Sequence, residues 1–182
     1  SSNVNGVLFF AAGTTIGNSN NLITNNDISG VSDAIRPNYL ITAYSTTANV
    51  WNKNIQITNN SIFDFFNLAP SSYNTTGIFL STNSDYFTIT GNSFYETTNL
   101  ITTGTGTLYM MNLSSPFTNL TVSNNFLGGS SANAQGTFTK SGGTNILYGL
   151  YAYVNNSTTS NSNIRIQNNI VRNINYTNAA ST

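Results

Sequence analysis

The sequence predicts an all-β fold, a right-handed parallel β-helix of about five coils with roughly 33 residues and three strands in each coil. The first supporting observation is a short phrase, apolar-x-apolar-polar-Asn-Asn, that recurs five times along the chain. The second is the alternation of apolar and polar residues inside each copy, which has the period of a β-strand and is too brief for a helix. Repetition at intervals of about 20–50 residues is typical of stacked architectures.

The five copies set the period of the fold. They read N-L-I-T-N-N-D-I from Asn21, I-Q-I-T-N-N-S-I from Ile55, F-T-I-T-G-N-S-F from Phe87, L-T-V-S-N-N-F-L from Leu120 and I-R-I-Q-N-N-I-V from Ile164. The second apolar residues, Ile23, Ile57, Ile89, Val122 and Ile166, are separated by 34, 32, 33 and 44 residues. We expect the copies to stack at about 4.8 Å with these apolar side chains pointing inward.

Each copy is predicted to be the middle strand of three. A strand that in three copies begins with Gly precedes it. The five segments are G-V-L-F-F from Gly6, N-Y-L-I-T from Asn38, G-I-F-L from Gly77, T-L-Y-M-M from Thr107 and G-L-Y-A-Y from Gly149. Its predicted inward positions are Val7 and Phe9, Tyr39 and Ile41, Ile78 and Leu80, Leu108 and Met110, and Leu150 and Ala152. A short third strand follows, through Ile28, Ile62, Phe94, Leu127 and Val171.

The Asn pairs are predicted to turn the chain and to bond one coil to the next. One column contains Asn25, Asn59, Asn124 and Asn168, with Gly91 in the third copy. The next column contains Asn26, Asn60, Asn92, Asn125 and Asn169. Asn tolerates left-handed backbone angles at a bend, and stacked amides bond to one another. We therefore interpret the second column as a structural asparagine ladder.

The phrase with its preceding strand resembles the right-handed parallel β-helix repeats of pectate-lyase-like proteins, phage tailspikes and bacterial surface adhesins. The resemblance covers roughly residues 5–176 and implies the fold, but this fold serves lyases, hydrolases, epimerases and inert stalks alike. Neither end of the sequence has an amphipathic helix to shield a terminal coil. We therefore expect residues 1–182 to be a single segment of a longer solenoid.

Composition excludes several classes of function. Five basic and five acidic residues give a formal net charge of zero, so we expect no nucleic-acid partner. The longest apolar run, V-L-F-F-A-A from Val7, is too short for membrane insertion. Without His or Cys, the chain cannot form a Ser-His or Cys-His nucleophile or an ordinary zinc site. We expect neither a metal nor a cofactor.

Two acids on neighbouring coils are the weak candidates for catalysis. Four residues after the second Asn of each copy the column reads Gly30, Asp64, Glu96, Gly129 and Asn173. Carboxylates at Asp64 and Glu96 would lie about 5 Å apart, the spacing of a retaining-glycosidase pair. The alternatives are two solvated loop acids, or a binding site that could hold Ca²⁺. The pectate-lyase and polygalacturonase resemblance implies further acidic and basic residues that this column does not contain.

An outward aromatic stripe is the stronger functional candidate. Its predicted members are Leu8, Leu40, Phe79, Tyr109 and Tyr151, beside Phe10, Thr42, Ser81, Met111 and Tyr153. Soluble monomers rarely leave such a patch bare. Three covers are considered: the Gly/Ser-rich insertion that follows Gly128, which Phe138 could anchor; a second chain or domain; or a glycan that stacks on Phe79, Tyr109, Tyr151 and Tyr153.

These features favour an extracellular or cell-surface module with a structural and adhesive role in a larger surface or fibre protein. The alternative is a fragment of a carbohydrate-active enzyme, a polysaccharide lyase or hydrolase, that uses Asp64 and Glu96. A third hypothesis is ice binding through the Thr-rich face formed by Thr24, Thr58, Thr90, Ser123 and Gln167, although Leu22 and Arg165 interrupt that face.

Overall fold

The computed structural model describes residues 5–11, 14–30, 39–45, 47, 50–66, 74–153 and 162–179. For residues 5–11 and for positions 39, 40, 42 and 44 it describes the backbone alone. The fold is all-β with parallel sheets, as the repeat predicts, since every pairing between strands of the described residues is parallel.

Four sheets are present in the described part of the chain. Sheet A contains β1 (Asn5–Ala11), β4 (Tyr39–Tyr44), β7 (Thr75–Leu80), β11 (Leu108–Leu113) and β15 (Leu147–Ala152). Sheet B contains β2 (Leu22–Thr24), β5 (Asn52–Thr58), β8 (Ser84–Thr90), β12 (Asn119–Ser123) and β16 (Asn163–Gln167). Sheet C contains β3 (Asp27–Ser29), β6 (Ser61–Phe63), β9 (Ser93–Tyr95), β13 (Phe126–Leu127) and β17 (Ile170–Val171). Sheet D contains β10 (Leu100–Thr102), β14 (Phe138–Gly142) and β18 (Ile174–Tyr176).

Sheet B carries the repeated phrase, and its register follows the repeat. The column of second apolar residues is continuous from strand to strand: Ile23, Ile57, Ile89, Val122 and Ile166. The three central members are fully buried, whereas Ile166 on the outer strand β16 is 47% exposed. Burial of side chains of this kind stabilises a fold by roughly 1.5–3 kcal/mol each. The centre of the column therefore contributes more than its end.

Left-handed residues separate sheet B from sheet C in every repeat. Asn25, Asn59, Asn124 and Asn168 have φ between 55° and 56°, and Gly91 has φ of 69°. Asn is among the few residues that adopt this conformation readily. Gly91 is required for a second reason, because a Cβ atom there would lie 2.3 Å from the Oδ1 atom of Asn59.

The prediction of three strands per repeat is wrong for the last three repeats, in which sheet D adds a fourth strand. The insertion after Gly128 supplies β14, which pairs with β10 and β18. Phe138 anchors this strand, since it is fully buried and its ring centroid lies 6.0 Å from that of Phe66. The insertion is therefore part of a sheet and is not the loop cover considered for the stripe.

Sheet A departs from the predicted alternation. Met110 and Met111 are both fully buried, so the expectation that Met111 points outward is wrong. Backbone pairing places Leu8 opposite Ile41 and Phe10 opposite Ala43, and both partners are fully buried. Val7 and Phe9 were predicted as the inward positions, so the register of β1 is shifted by one residue. The side chains of Leu8, Phe10 and Leu40 lie outside the described residues.

Candidate functional site

Three tyrosines form one aromatic cluster on the outward face of sheet A. The rings of Tyr109 and Tyr148 stack at an interplanar angle of 13°, with centroids 5.3 Å apart. The ring of Tyr151 stands edge-on to both, with centroids 5.8 Å from Tyr109 and 5.5 Å from Tyr148. Separations of about 4.5–7 Å in stacked and edge-to-face geometry are the favourable ones for aromatic pairs. We call these three residues the tyrosine cluster.

The register of sheet A explains how the tyrosine cluster forms. Tyr109 pairs directly with Tyr148 across β11 and β15, and neighbouring strands lie about 4.8 Å apart, so the two rings stack. Tyr151 pairs with Asn112. In a regular strand, positions three apart face opposite sides. The two consecutive buried residues Met110 and Met111 interrupt this alternation, so residues 109 and 112, and likewise 148 and 151, lie on the same side.

The tyrosine cluster is partly open to solvent. Tyr148 is 37% exposed, and the other two rings are half-buried. Burial raises the pKa of Tyr109, a hydrogen bond with Thr107 opposes this shift, and the neighbouring Tyr148 and Tyr151 raise it further. The Tyr109 phenol is therefore protonated at neutral pH, and its hydroxyl can both donate and accept a hydrogen bond.

Two other predicted members of the stripe lie beside the tyrosine cluster. Tyr153 follows β15 directly, is 53% exposed, and donates its backbone N–H to the carbonyl of Leu113 at 2.8 Å. Phe79 is half-buried and shares a column with Asn112 and Tyr151. Because Asn112 separates Phe79 from Tyr151, the continuous stripe predicted from the sequence is wrong. Tyr109 occupies the adjacent column.

Tyr148 was missed by the sequence analysis. The sequence predicts that this strand begins at Gly149, whereas in the structure β15 begins at Leu147. The strand register aligns Tyr148 with Tyr109 and Thr76. The residues that follow them, Gly149, Met110 and Gly77, are therefore aligned as well. The sequence alignment sets Thr107, not Met110, opposite the two glycines, so it pairs Tyr109 with Tyr151 and could not have placed Tyr148 over Tyr109.

The weak catalytic candidates Asp64 and Glu96 do not form an accessible pair. Glu96 is 1% exposed, and its Oε1 atom accepts the backbone N–H groups of Phe65 and Phe66 at 2.9 and 3.0 Å. Asp64 accepts the backbone N–H of Thr97 at 2.8 Å and also its hydroxyl. A glycosidase needs both carboxyl groups at the scissile bond. A buried Glu96 that caps a turn cannot serve there.

The predicted ladder asparagines are joined by hydrogen bonds through all five repeats. The Oδ1 atoms of the last four members each accept both the backbone N–H and the side-chain N–H of the asparagine before them, at 2.9–3.1 Å. The members are Asn26, Asn60, Asn92, Asn125 and Asn169. From Asn60 onward, each Nδ2 atom also donates to a backbone carbonyl of the preceding repeat. An internal asparagine thus connects three repeats.

The hydroxyls of the Thr-rich face bond to one another across repeats. Thr58 donates to the Thr24 hydroxyl at 2.9 Å, and Thr90 donates to the carbonyl of Ser123 at the same distance. Gln167 is exposed at the end of this column. These contacts orient the hydroxyls along the sheet, and they do not single out a ligand.

The exposed aromatic rings make the tyrosine cluster the candidate site of sheet A. In the described ranges, no group of three or more His, Cys, Asp or Glu residues could hold a metal ion. The described residues also include no helix long and apolar enough to cross a bilayer. No protein-family model matches this sequence, and searches of curated proteins and of solved structures return no significant match.

Proposed function

We propose that this chain is a right-handed parallel β-helix module of an extracellular surface or fibre protein, with a structural and adhesive role. Support for the winding comes from strands that pair in parallel with a strand about one repeat away, and parallel crossover connections are nearly always right-handed. Support for the structural role comes from the asparagine ladder, which bonds every repeat to the next. These bonds fix the register of each repeat on the next.

The adhesive role is proposed on one observation, the partly exposed tyrosine cluster. Sugar rings present flat C–H faces, and aromatic side chains offer matching apolar surfaces together with a polar hydroxyl. Tyr109 and Tyr148 form a stacked pair whose neighbour Tyr151 stands edge-on, which gives a stepped surface with three hydroxyl groups. Tyr153, two residues after Tyr151, is a further exposed aromatic residue. A glycan that stacks on the cluster is therefore the ligand proposed here.

The test is a glycan array probed with the wild-type protein and with Tyr148→Ala and Tyr109→Ala variants. We expect each variant to lose most of the glycan binding, because loss of a stacking aromatic at a binding site costs about 1–2 kcal/mol or more. Tyr95→Ala is the matched control, since Tyr95 stacks on Phe63 in sheet C, with ring centroids 4.9 Å apart, away from the cluster. Binding that survives both sheet A variants, or that is lost equally in the control, contradicts the proposed site.

A further inference from the structure

A second group of aromatic and charged residues lies near the start of the sheet B strands, away from the tyrosine cluster. The Nζ atom of Lys53 on β5 lies 5.3 Å from the ring centroid of Trp51 and 5.7 Å from that of Tyr86 on β8. Both distances fall within the range of cation–π interactions. The sole Trp of the chain and a lysine thus meet an exposed tyrosine of the next repeat. We call these three residues the Trp–Lys–Tyr cluster.

Within the described part of the chain, the Lys53 ammonium has no carboxylate within salt-bridge distance. The acid that pairs with it by register is Asp85, which is 3% exposed. Both oxygens of Asp85 are occupied, because Oδ1 accepts the backbone N–H groups of Tyr86, Thr118 and Asn119, and Oδ2 accepts the Thr118 hydroxyl. The charge of Lys53 is therefore available to an anionic ligand.

Tyr86 has a backbone conformation that a bulky side chain seldom adopts. Its φ is 57°, and the equivalent residues of the two preceding repeats, Asn20 and Asn54, have φ of 62° and 54°. Asn is well suited to this left-handed region, whereas an aromatic residue is strained there. The ring is nonetheless 45% exposed, so burial does not account for a Tyr at this position. Strain of this kind is typical of functional sites.

The cluster lies between two surface depressions. One is lined by Ile16, Gly17, Trp51 and Lys53, and the other by Asn54, Tyr86, Thr88 and Asn119. Gly17 forms a wall of the first because it packs directly on the Trp51 backbone, where a Cβ atom would lie only 1.8 Å from the Trp51 carbonyl oxygen. A chain-like ligand that fills both depressions would cross the lysine between the two rings.

We propose that the Trp–Lys–Tyr cluster is a binding subsite for an acidic saccharide. Trp51 and Tyr86 offer apolar faces for sugar rings, and Lys53 between them pairs with a carboxylate of the ligand. The amide of Asn54 and the hydroxyl of Thr88 supply hydrogen bonds for sugar hydroxyls in the second depression. A neutral saccharide would leave the lysine unused, and a simple phosphate would leave the rings unused. An acidic sugar uses all three side chains.

The test uses titration calorimetry with a uronic-acid hexasaccharide and with its carboxyl-reduced counterpart. We expect the acidic ligand to bind more tightly, and Lys53→Gln to weaken it about fivefold while leaving the reduced ligand unchanged. Trp51→Ala should weaken both ligands. Arg172→Gln is the matched control, since Arg172 is an exposed cation that follows β17 of sheet C, outside both depressions, and should not affect binding.

Tyr86→Asn separates a binding role from a structural one. It restores the residue type of the equivalent positions Asn20 and Asn54, so we expect a higher melting temperature together with weaker saccharide binding. Equal affinity for the acidic and the carboxyl-reduced ligands overturns the proposal, as does no binding at millimolar concentration or an unchanged affinity in Lys53→Gln. Tyr148→Ala in the tyrosine cluster should not alter this titration, so the two proposed sites fail or succeed separately.

Discussion

The replacement of Asn92 by Ala tests the asparagine ladder at its centre. Asn92 is fully buried, and its Oδ1 atom accepts the backbone and side-chain N–H groups of Asn60, both at 3.0 Å. Its Nδ2 atom donates to the carbonyl of Ile57 at 2.8 Å and to the Oδ1 atom of Asn125 at 3.0 Å. The single side chain therefore serves groups in the repeat before it and in the repeat after it.

The expected loss follows from the groups that Asn92→Ala leaves without partners. The backbone N–H of Asn60 loses its acceptor inside the core, which costs about 1–3 kcal/mol. The bonds to Ile57 and Asn125 contribute about 1 kcal/mol each, although Asn125 Oδ1 keeps the backbone N–H of residue 92 as a donor. We expect the free energy of unfolding to fall by about 3–5 kcal/mol, against a total of about 5–15 kcal/mol for an ordinary domain.

The measurement is equilibrium unfolding in urea, monitored by circular dichroism. The variant and the wild-type protein are compared with the same m value, the slope of the unfolding free energy against urea concentration. Asn26→Ala is the matched control because Asn26 is exposed at the start of the ladder. Its side chain donates to the Oδ1 atom of Asn60 and to the carbonyl of Thr24. Unlike Asn92, it is not the acceptor of a buried backbone N–H group from another ladder asparagine in the described residues. We expect this variant to lose less than about 1 kcal/mol. Equal losses at the two positions would refute the reasoning that buried polar groups, rather than asparagine itself, determine the cost.

Three further predictions concern single side chains. Glu96→Ala should lower the free energy of unfolding by about 2–4 kcal/mol, because the N–H groups of Phe65 and Phe66 lose their buried acceptor. Glu96→Gln should retain much of the wild-type stability, because its amide oxygen can still accept these bonds. Equal melting temperatures for the two variants would contradict this. Thr75→Val should raise the melting temperature, since the Thr75 hydroxyl is buried without a hydrogen-bond partner in the described structure, and a lower value would contradict it. Burial is the main cause that raises the pKa of Tyr109 above its ordinary value of about 10, so its contribution to stability is complete below pH 10 and is lost as pH rises through the folded-state pKa. Above pH 10, the free energy of unfolding measured in urea should therefore fall less steeply with pH in Tyr109→Phe than in the wild-type protein. An unchanged pH dependence would contradict burial of the Tyr109 phenol as the cause.

Period-two alternation predicted the inward side of sheet B because close packing enforces it there. Ile57, Ile89 and Val122 fill one buried column, and a polar residue at any of them would be desolvated without a partner. The bends were predictable for a similar reason, since few residues other than Asn and Gly adopt positive φ easily. Local chemistry of this kind is readable from sequence.

Side-chain direction outside the regular alternation was not readable. Two buried residues in succession, Met110 and Met111, reverse the pattern of sheet A, and no property of methionine announces such a reversal. Glu96 was placed in the correct column, but an acid after a turn is expected to be solvated, and only the structure shows that it accepts the N–H groups of Phe65 and Phe66. Sheet D depends on pairing between segments 36 or more residues apart, which local patterns do not encode.

The two proposed binding sites share a property that follows from the constraint of stacking. Inward positions of a repeat must match the positions in the adjacent repeats, because a void or an overpacked side chain costs several kcal/mol. Outward positions carry no such requirement, and here the repeat is broken where aromatic residues replace its usual type. Tyr86 stands where Asn20 and Asn54 stand in the preceding repeats, and Tyr109 follows Thr76 in its column. Packing does not require either tyrosine. These departures from the repeat therefore place exposed aromatic surface where a ligand can reach it.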